Sequence, residues 1–426
     1  MNICLVFPRS TFLIDPLVYP PLGVWYLAAQ LEAQGYATDF RDLTCDPFPQ
    51  DGEFEQVWIS ATSPQMHEVR RLAGLTRAWE KSAVVLGGAA PWTNPDSCRA
   101  LGFDVIVSGE SDHPQTVSRI VSGAARRATT LSFAPPITPG PLDWALPPVR
   151  RWDDKYHATL HDREGRPHRT TTLFTSRGCP MACAFCESGR NGVIWDRSVR
   201  YEPLSIVEAQ IREAVERGHT GLMYYDDILP LNKPRMLSLL EVMKRYSVVW
   251  RCFLRTDVIS HQGGLDYLRQ MAEGGLVQVL AGVESADNRI KANVHKGTTI
   301  EQDTQVLGWC KQLGIKFKAS FILGLPGEDR ESMERTRDWI LTHRPDRVDV
   351  NTLIPFPGTP MTRRAEDYLG VKYDVKWEEE LPEEFWFKGA REHNESIVST
   401  SHLTRQEITE FRDRLMQDIE REGIPY

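Results

Sequence analysis

No stretch of the sequence approaches the ~20 uninterrupted apolar residues that a membrane span needs. The opening segment, Met1-Asn2-Ile3-Cys4-Leu5-Val6-Phe7, lacks the basic region and long apolar core of a signal peptide and reads instead as a strand. Cysteine is scarce: eight residues, at positions 4, 45, 98, 179, 183, 186, 252 and 310, are too sparse for a disulfide framework in a chain of 426. Positive charge is in deficit, with 50 Lys+Arg against 58 Asp+Glu and a formal net charge of -8, so bulk electrostatics recruit neither nucleic acid nor anionic lipid. Internal repeats and low-complexity tracts are missing as well. These absences point to a soluble globular protein of the reducing cytoplasm, with no membrane and no nucleic-acid partner.

With 41% hydrophobic residues, the chain is long enough for two or three domains with sizeable cores. From residue 1 to about 133, short β-branched runs (Ile3 to Phe7, Thr38 to Asp42, Val57 to Ser60, Ala83 to Leu86, Val105 to Val107) alternate with helical stretches such as Gly23 to Gln34 and His67 to Glu80. That pattern predicts a five-stranded parallel, Rossmann-like unit, with ligands beyond the carboxyl ends of its strands. Residues 134–164 open with Ala-Pro-Pro, Thr-Pro-Gly-Pro and Leu-Pro-Pro and read as a proline-rich linker. Over 165–365, six further strands with intervening helices predict a partial (β/α)6 barrel whose chemistry lies at the strand C-termini. Residues 366–426 contain the acidic run Glu378 to Glu380, the aromatics Phe385-Trp386-Phe387 and an amphipathic helix from about Thr404 to Arg421, and read as a small C-terminal cap.

Five cysteines are scattered singly. Cys4 and Cys252 lie in apolar strand-like runs, where a small buried thiol is the ordinary reading. The other three sit in one loop directly after a predicted strand: Ser176-Arg177-Gly178-Cys179-Pro180-Met181-Ala182-Cys183-Ala184-Phe185-Cys186. Three thiolates on a tight loop can hold three irons of a four-iron cluster and leave the fourth iron open. A zinc knuckle would want a fourth ligand nearby, and the nearest downstream histidine, His219, lies beyond a predicted helix.

This loop, with the aromatic Phe185 ahead of its third cysteine, resembles the signature of the radical S-adenosylmethionine (SAM) superfamily. In that family the open iron of a [4Fe-4S] cluster chelates SAM and one electron cleaves it to a deoxyadenosyl radical. Further landmarks follow on successive strand ends. Tyr224-Tyr225-Asp226-Asp227-Ile228, with Asn232 and Arg235, is similar to the acidic end that holds the SAM ammonium, so the resemblance implies Asp226 and Asp227 as contacts. The competing reading is that Asp227 caps the helix beginning near Lys233. Arg255 fits a fork for the SAM carboxylate or, equally, an ordinary ion pair. Ala281-Gly282-Val283-Glu284-Ser285 resembles the family's Gly-x-Glu-Ser segment and implies SAM contacts at Glu284 and Ser285, with Lys296 and Gly297 at the usual interval. Gly324-Leu325-Pro326-Gly327-Glu328 and Pro355-Phe356-Pro357-Gly358-Thr359-Pro360 complete the series.

The first unit resembles the cobalamin-binding domains that precede radical SAM cores in one subgroup. Pro20-Pro21-Leu22-Gly23, Ile59-Ser60-Ala61-Thr62, Leu86-Gly87-Gly88 and Ser108-Gly109-Glu110 carry the likeness, which implies that Ser60, Thr62, Gly87 and Gly88 face the cofactor. Where some cobalamin domains place a cobalt-ligating histidine, this chain has Asp42-Leu43-Thr44-Cys45-Asp46-Pro47-Phe48, so cobalamin would bind without it. Ala89, Ala90 and the bulky Trp92 also depart from the subgroup, and the domain could keep the fold without the cofactor.

The expected function is a cobalamin-dependent radical SAM methyltransferase acting on an unactivated carbon or phosphorus centre of a small-molecule or peptide substrate. It would be reduced by a donor such as flavodoxin or ferredoxin. The alternative is radical cyclisation, rearrangement or oxidation without methyl transfer. A non-catalytic sensor would not need the ordered strand ends, and no recognition segment for an output is present.

Overall fold

A computed structural model describes all residues except 11–12, 126–129, 134–141, 189–197, 364–367, 369–371 and 374–394. The acidic run Glu378 to Glu380, the aromatics Phe385 to Phe387 and the most proline-dense part of the expected linker lie outside the described residues. Among the described residues no helix is long and apolar enough to cross a membrane.

The first sheet is parallel throughout. Its strands are β1 (Asn2–Phe7), β2 (Ala37–Asp42), β3 (Gln56–Ser60), β4 (Ala83–Gly87), β5 (Val105–Gly109) and β6 (Thr130–Phe133), in the order β2-β1-β3-β4-β5-β6. The sixth strand was not anticipated: Thr130-Leu131-Ser132-Phe133 is short, half polar and abuts the prolines. Alternate residues serve opposite faces. Ile3, Leu5, Trp58, Val85 and Val107 pack under helices Leu22–Ala33 and Pro114–Ala125, while Cys4, Val6, Val57, Ile59, Val84 and Leu86 pack under helix Met66–Thr76. The order reverses between β1 and β3, which puts the ligand crevice of such a sheet beyond those strand ends.

The second sheet consists of β7 (Thr159–His161), β8 (Pro167–Leu173), β11 (Gly221–Tyr224), β12 (Val249–Leu254), β13 (Leu276–Glu284), β14 (Lys316–Leu323) and β15 (Arg347–Thr352). Between β8 and β11 a short antiparallel pair forms, β9 (Ser176–Arg177) with β10 (Arg200–Tyr201). The order β15-β14-β13-β12-β11-β8-β7 contains the six expected parallel strands and an antiparallel edge strand, β7, that forms a hairpin with β8. Its ends do not pair, so the barrel is open.

Two expectations change. The described part of the linker is a packed strap rather than a free tether: Leu142, Ala145, Arg150, Asp153 and Tyr156 are buried. Asp153 accepts hydrogen bonds from Trp25 Nε1 (2.7 Å), Thr171 Oγ1 (2.9 Å) and Arg150 Nη1 (3.2 Å), and the Tyr156 hydroxyl donates to Asp42 (2.7 Å). The terminal helix, Arg405–Arg421, is capped by Thr404 and Glu407 and belongs to the barrel's outer layer rather than to a separate cap. Ile408, Phe411, Leu415 and Ile419 join the barrel core, and Asp418 meets Arg337 at 2.6 Å.

Candidate active site

The three clustered cysteines stand where β8 runs out into its loop. Gly178, with φ +98°, turns the chain from β9 into the loop, where a side chain would be strained. Ala184 anchors the loop by donating its amide to Val294 O (3.0 Å) and accepting that of Met361 (3.1 Å). Cys179, Cys183, Cys186, Met181 and Phe185 line one cavity of about 230 Å³ with Asp227, Phe253, Leu254, Arg255, Leu280, Gly282, Glu284, Lys296 and Ser320. Cys179 and Cys183 are buried and Cys186 is half-buried. Burial pushes the Cys179 thiol up to about 11; burial, with Cys183 and Asp227 beside it, pushes Cys186 to about 12. Such thiols ionise when a multivalent cation takes the charge.

Among the described residues no three His, Cys, Asp or Glu side chains converge on one point, as a single metal ion requires. A four-iron cluster makes no such demand, because each thiolate takes a different iron. His219, the nearest histidine for a zinc reading, lies elsewhere. It is buried 3.6 Å from Asp153, and burial lowers its pKa to about 4.

The adjacent carboxylates at the end of β11 divide their roles. Asp226 does not line the cavity. It is fully buried and accepts hydrogen bonds from the Thr175 amide (3.0 Å), the Thr175 hydroxyl (2.7 Å) and the Ser176 hydroxyl, which lock the end of β8 to β11. The expectation of a SAM contact at Asp226 is therefore corrected, since its oxygens are engaged within the fold. Asp227 does face the cavity, where burial raises its carboxyl to about 6 against hydrogen bonds from Ser188 and the Gly178 amide. Helix Lys233–Tyr246 is capped by Asn232, which accepts from the Arg235 amide at 3.1 Å, so Asp227 is not its cap.

Arg255 lines the cavity, but its fork is committed. Nε and Nη2 hold Asp257 at 3.1 and 2.8 Å, leaving Nη1 3.5 Å from Cys183 Sγ. It is thus a paired cation beside a thiol, not an open carboxylate fork. Glu284 sits at a register shift in β13 with φ +66°, a strained backbone for a non-glycine residue, and accepts from Lys296 Nζ at 2.7 Å. Burial works against the Lys296 ammonium, yet Glu284 and Cys183 outweigh it and hold its pKa above the ordinary value. A Cβ at Gly282 would meet Glu284 Oε1 and Lys296 Nζ, so a side chain there would push this ion pair from its place. Ser285 is corrected as Asp226 was: it is fully buried outside the cavity, and its hydroxyl accepts from the Asp287 amide at 3.2 Å. The sequence reading noted Lys296 only by its interval and missed Phe253 and Ser320, which carry no motif and reach the cavity through strand alternation.

In the first unit, Ser60, Gly87, Gly88 and Ser111 form the mouth of a slot between the sheet and helices Leu22–Ala33 and Pro114–Ala125. Its walls are apolar (Leu5, Val24, Leu27, Trp58, Val85, Val107, Ile120) and no histidine lines it. The lining suits a flat apolar group entering from the strand ends. The space is about 20 Å³, that of one water, so a larger group enters only as the two helices move apart. Thr62 is corrected: it lies outside the slot and caps a turn, with its amide and hydroxyl donating to Gln65 Oε1 at 2.9 and 3.0 Å. Gly88 is small for an internal reason, since a Cβ there would lie 2.5 Å from Ala61 O at φ +91°.

A feature that sequence reasoning missed joins the two units. Arg177, two residues before Cys179, donates from Nη1 to Glu110 (2.7 Å) and Asp112 (2.9 Å) and from Nη2 to Asp112 (2.6 Å). Arg200 meets Glu110 at 3.0 Å. The Arg177 guanidinium also lies 5.3 Å from the rings of both Tyr26 and Trp144. Glu110 follows β5, so what read as a ligand turn is the anchor of the cysteine loop.

The thiol loop and its acid- and base-lined cavity at the top of the open barrel are thus clamped to the strand-end side of the Rossmann-like unit. Residues 173–340 match the radical SAM superfamily and residues 16–117 match the B12-binding domain. The chain belongs to the radical SAM superfamily and carries a B12-binding domain ahead of its radical SAM domain. It is 28% identical to an uncharacterised methyltransferase of Pyrococcus horikoshii, over 86% of this chain and 83% of the relative. It is 22% identical to the bacteriochlorophyllide d C-8(2)-methyltransferase of Chlorobaculum tepidum, over 81% and 75%. In fold it is similar to the radical SAM methyltransferase TsrM of Kitasatospora setae, whose solved structure holds cobalamin and a [4Fe-4S] cluster. The TM-score is 0.67 at 16% identity, covering 88% of this chain and 81% of that one.

Proposed function

We propose that the chain is a cobalamin-dependent radical SAM methyltransferase acting on a small molecule. The observation that carries this reading is that the two strand-end faces confront each other across one buried interface. Arg177 of the cysteine loop is held by Glu110 and Asp112 beyond β5, and the hydroxyl of Tyr19, beyond β1, accepts a hydrogen bond from Arg251 Nη1 of the barrel at 2.9 Å. A substrate between the faces would reach both.

Cys179, Cys183 and Cys186 would hold three irons of the cluster, and Asp227 would accept hydrogen bonds from the SAM ammonium. The Arg255 cation beside Cys183 offsets thiolate charge, while Phe253, Leu254 and Leu280 keep water from the cavity. Lys296 holds Glu284 in its strained position at the cavity wall. The slot at Ser60, Gly87 and Gly88 would take the nucleotide tail of cobalamin. When bound, the cluster and SAM supply a radical that abstracts hydrogen from the substrate, and methylcobalamin supplies the methyl group. A low-potential donor such as flavodoxin or ferredoxin and a reducing cytoplasm suit a chain whose eight cysteines are all free.

Anaerobically reconstituted protein, supplied with SAM deuterated at its methyl group, tests this. Cobalamin uptake, label on the substrate and both S-adenosylhomocysteine and deoxyadenosine as products are expected. Deoxyadenosine formation from a chain that binds no cobalamin would establish the non-methylating alternative instead.

A further inference from the structure

Alternation along β12 turns Trp250 and Cys252 outward into the core beneath the helices and turns Arg251 and Phe253 to the concave face of the barrel. Arg251 stands opposite Gln278 of β13, Phe253 opposite Leu280, and Leu280 opposite Lys318 of β14. Lys318 has a carboxylate partner, Asp349, at 2.7 Å. Among the described residues Arg251 has none: its one hydrogen-bond partner there is the Tyr19 hydroxyl at 2.9 Å, and its guanidinium lies 5.6 Å from the Tyr19 ring. A guanidinium carries five donors in a fixed fork, so most of this one is uncommitted.

Beside it is an aromatic platform. Phe253 stacks on Tyr225 with ring centroids 6.2 Å apart and planes inclined by 25°. Tyr19 meets Tyr225 edge-on at 5.8 Å, and Phe174 lies 6.3 Å from Tyr225. Phe253 also lines the cavity that holds the three cysteines. Two residues of strand, about 6.6 Å, thus separate an unneutralised guanidinium from a ring that borders the reactive cavity.

We infer that this concave face binds the substrate as a planar aromatic carboxylate, with its ring on Phe253 and Tyr225 and its carboxylate in the fork of Arg251. That this ligand is the substrate rests on the methyl-transfer reading; the binding site itself does not. One planar guanidinium matches one carboxylate bidentately. A dianionic phosphate would call for a second cation, and Lys318 is committed to Asp349. Stacking on an aromatic face fixes the plane of a flat ligand, and the carboxylate fixes its rotation in that plane.

The rival role for Arg251 is a tether that holds Tyr19 of the first unit. Titration calorimetry on the reconstituted full chain with naphthoate and its neutral isostere naphthamide separates the two. The native chain should bind naphthoate at least about tenfold tighter than naphthamide. Arg251→Gln should bring naphthoate to the level of naphthamide, with iron content and SAM binding unchanged. Arg251→Lys, which keeps the charge without the fork, should restore part of the preference and serves if the glutamine variant does not fold. Phe253→Leu should weaken both probes alike and preserve their ratio. Tyr19→Phe should leave the preference intact, whereas a tether would make it mimic Arg251→Gln. Equal binding of the two probes, failure of the native chain to bind either, or an undiminished preference in Arg251→Gln would overturn the inference. No step of this test needs cobalamin or turnover, so its outcome is independent of whether methyl transfer occurs.

Discussion

Removing either side of the Arg177 clamp should cost far more than a surface ion pair, and removing both should cost less than the sum. Arg177 and Arg200 face Glu110 and Asp112, and the side chains are almost wholly buried: Arg177 and Glu110 are each 5% exposed, and Arg200 is 3% exposed. These four charges balance one another, and the neighbouring Glu202, whose pKa burial raises to about 7, is the next carboxyl to act on Arg177. Asp112→Asn leaves one buried positive charge in surplus, and Arg177→Met leaves one negative charge. Each should destabilise the chain by about 3–5 kcal/mol, the range for an orphaned buried charge. The double variant restores balance through Arg200 and Glu110, so the two costs should fail to add by roughly 2–3 kcal/mol. Urea unfolding of the four chains, followed by tryptophan fluorescence, measures the cycle. Iron retention after reconstitution should fall in the single variants, because Arg177 positions the strand that leads into Cys179. Additivity within about 0.5 kcal/mol would refute the reasoning, since it would mean that the two side chains act independently.

The remaining predictions concern separate sites. Replacing Cys179, Cys183 and Cys186 together by Ala should abolish iron binding and reductive SAM cleavage, read by iron assay and deoxyadenosine formation. Asp227→Asn should weaken SAM binding by roughly 1.5–3 kcal/mol, the scale of a hydrogen bond to a charged group, whereas Asp226→Asn should lower stability first; SAM titration and unfolding curves distinguish them. Gly87→Leu should block cobalamin uptake and leave iron content unchanged, because a Cβ there meets only Val107 at 3.9 Å; Gly88→Ala should damage the fold itself through Ala61, visible as a lowered unfolding midpoint. Burial raises Glu328 from 4.5 to about 8, so between those values the folded chain keeps a proton that the unfolded chain releases, and stability falls as pH rises through that window. Glu328→Gln should flatten this decline in pH-dependent urea midpoints.

Much of this architecture was legible in the sequence because strand periodicity and motif order are local. The six barrel strands lie where their β-branched runs put them, and Cys179, Cys183, Cys186, Asp227, Arg255 and Glu284 do meet in one cavity. Asp226 and Ser285 were misassigned because adjacent residues on a strand end point to opposite sides, and motif spacing does not say which one faces in. Thr62 was misread because a turn cap selects the same small polar residues as a ligand surface, while Gly88 does line the slot and is held to glycine by its close approach to Ala61 as well. The Arg177 clamp was invisible: Glu110 lies 67 positions away in sequence, and nothing local marks a pair formed between two units. The strap was hidden by its prolines, which exclude helix and central strand but not burial.

That strap bears on how such proteins can be taken apart and recombined. Asp153 holds Trp25 of the first unit and Thr171 of the barrel at the same time, with Arg150 between them, so it works as a keystone. A cut in the proline stretch would leave Trp25 without its acceptor and expose the Phe40 and Trp152 rings that pack beside it at 4.6 and 5.2 Å. A chimera that grafts a different cofactor unit onto this barrel should therefore carry residues 142–158 with the incoming module. Its junction belongs at the β7–β8 hairpin, where the chain first becomes the property of the barrel alone.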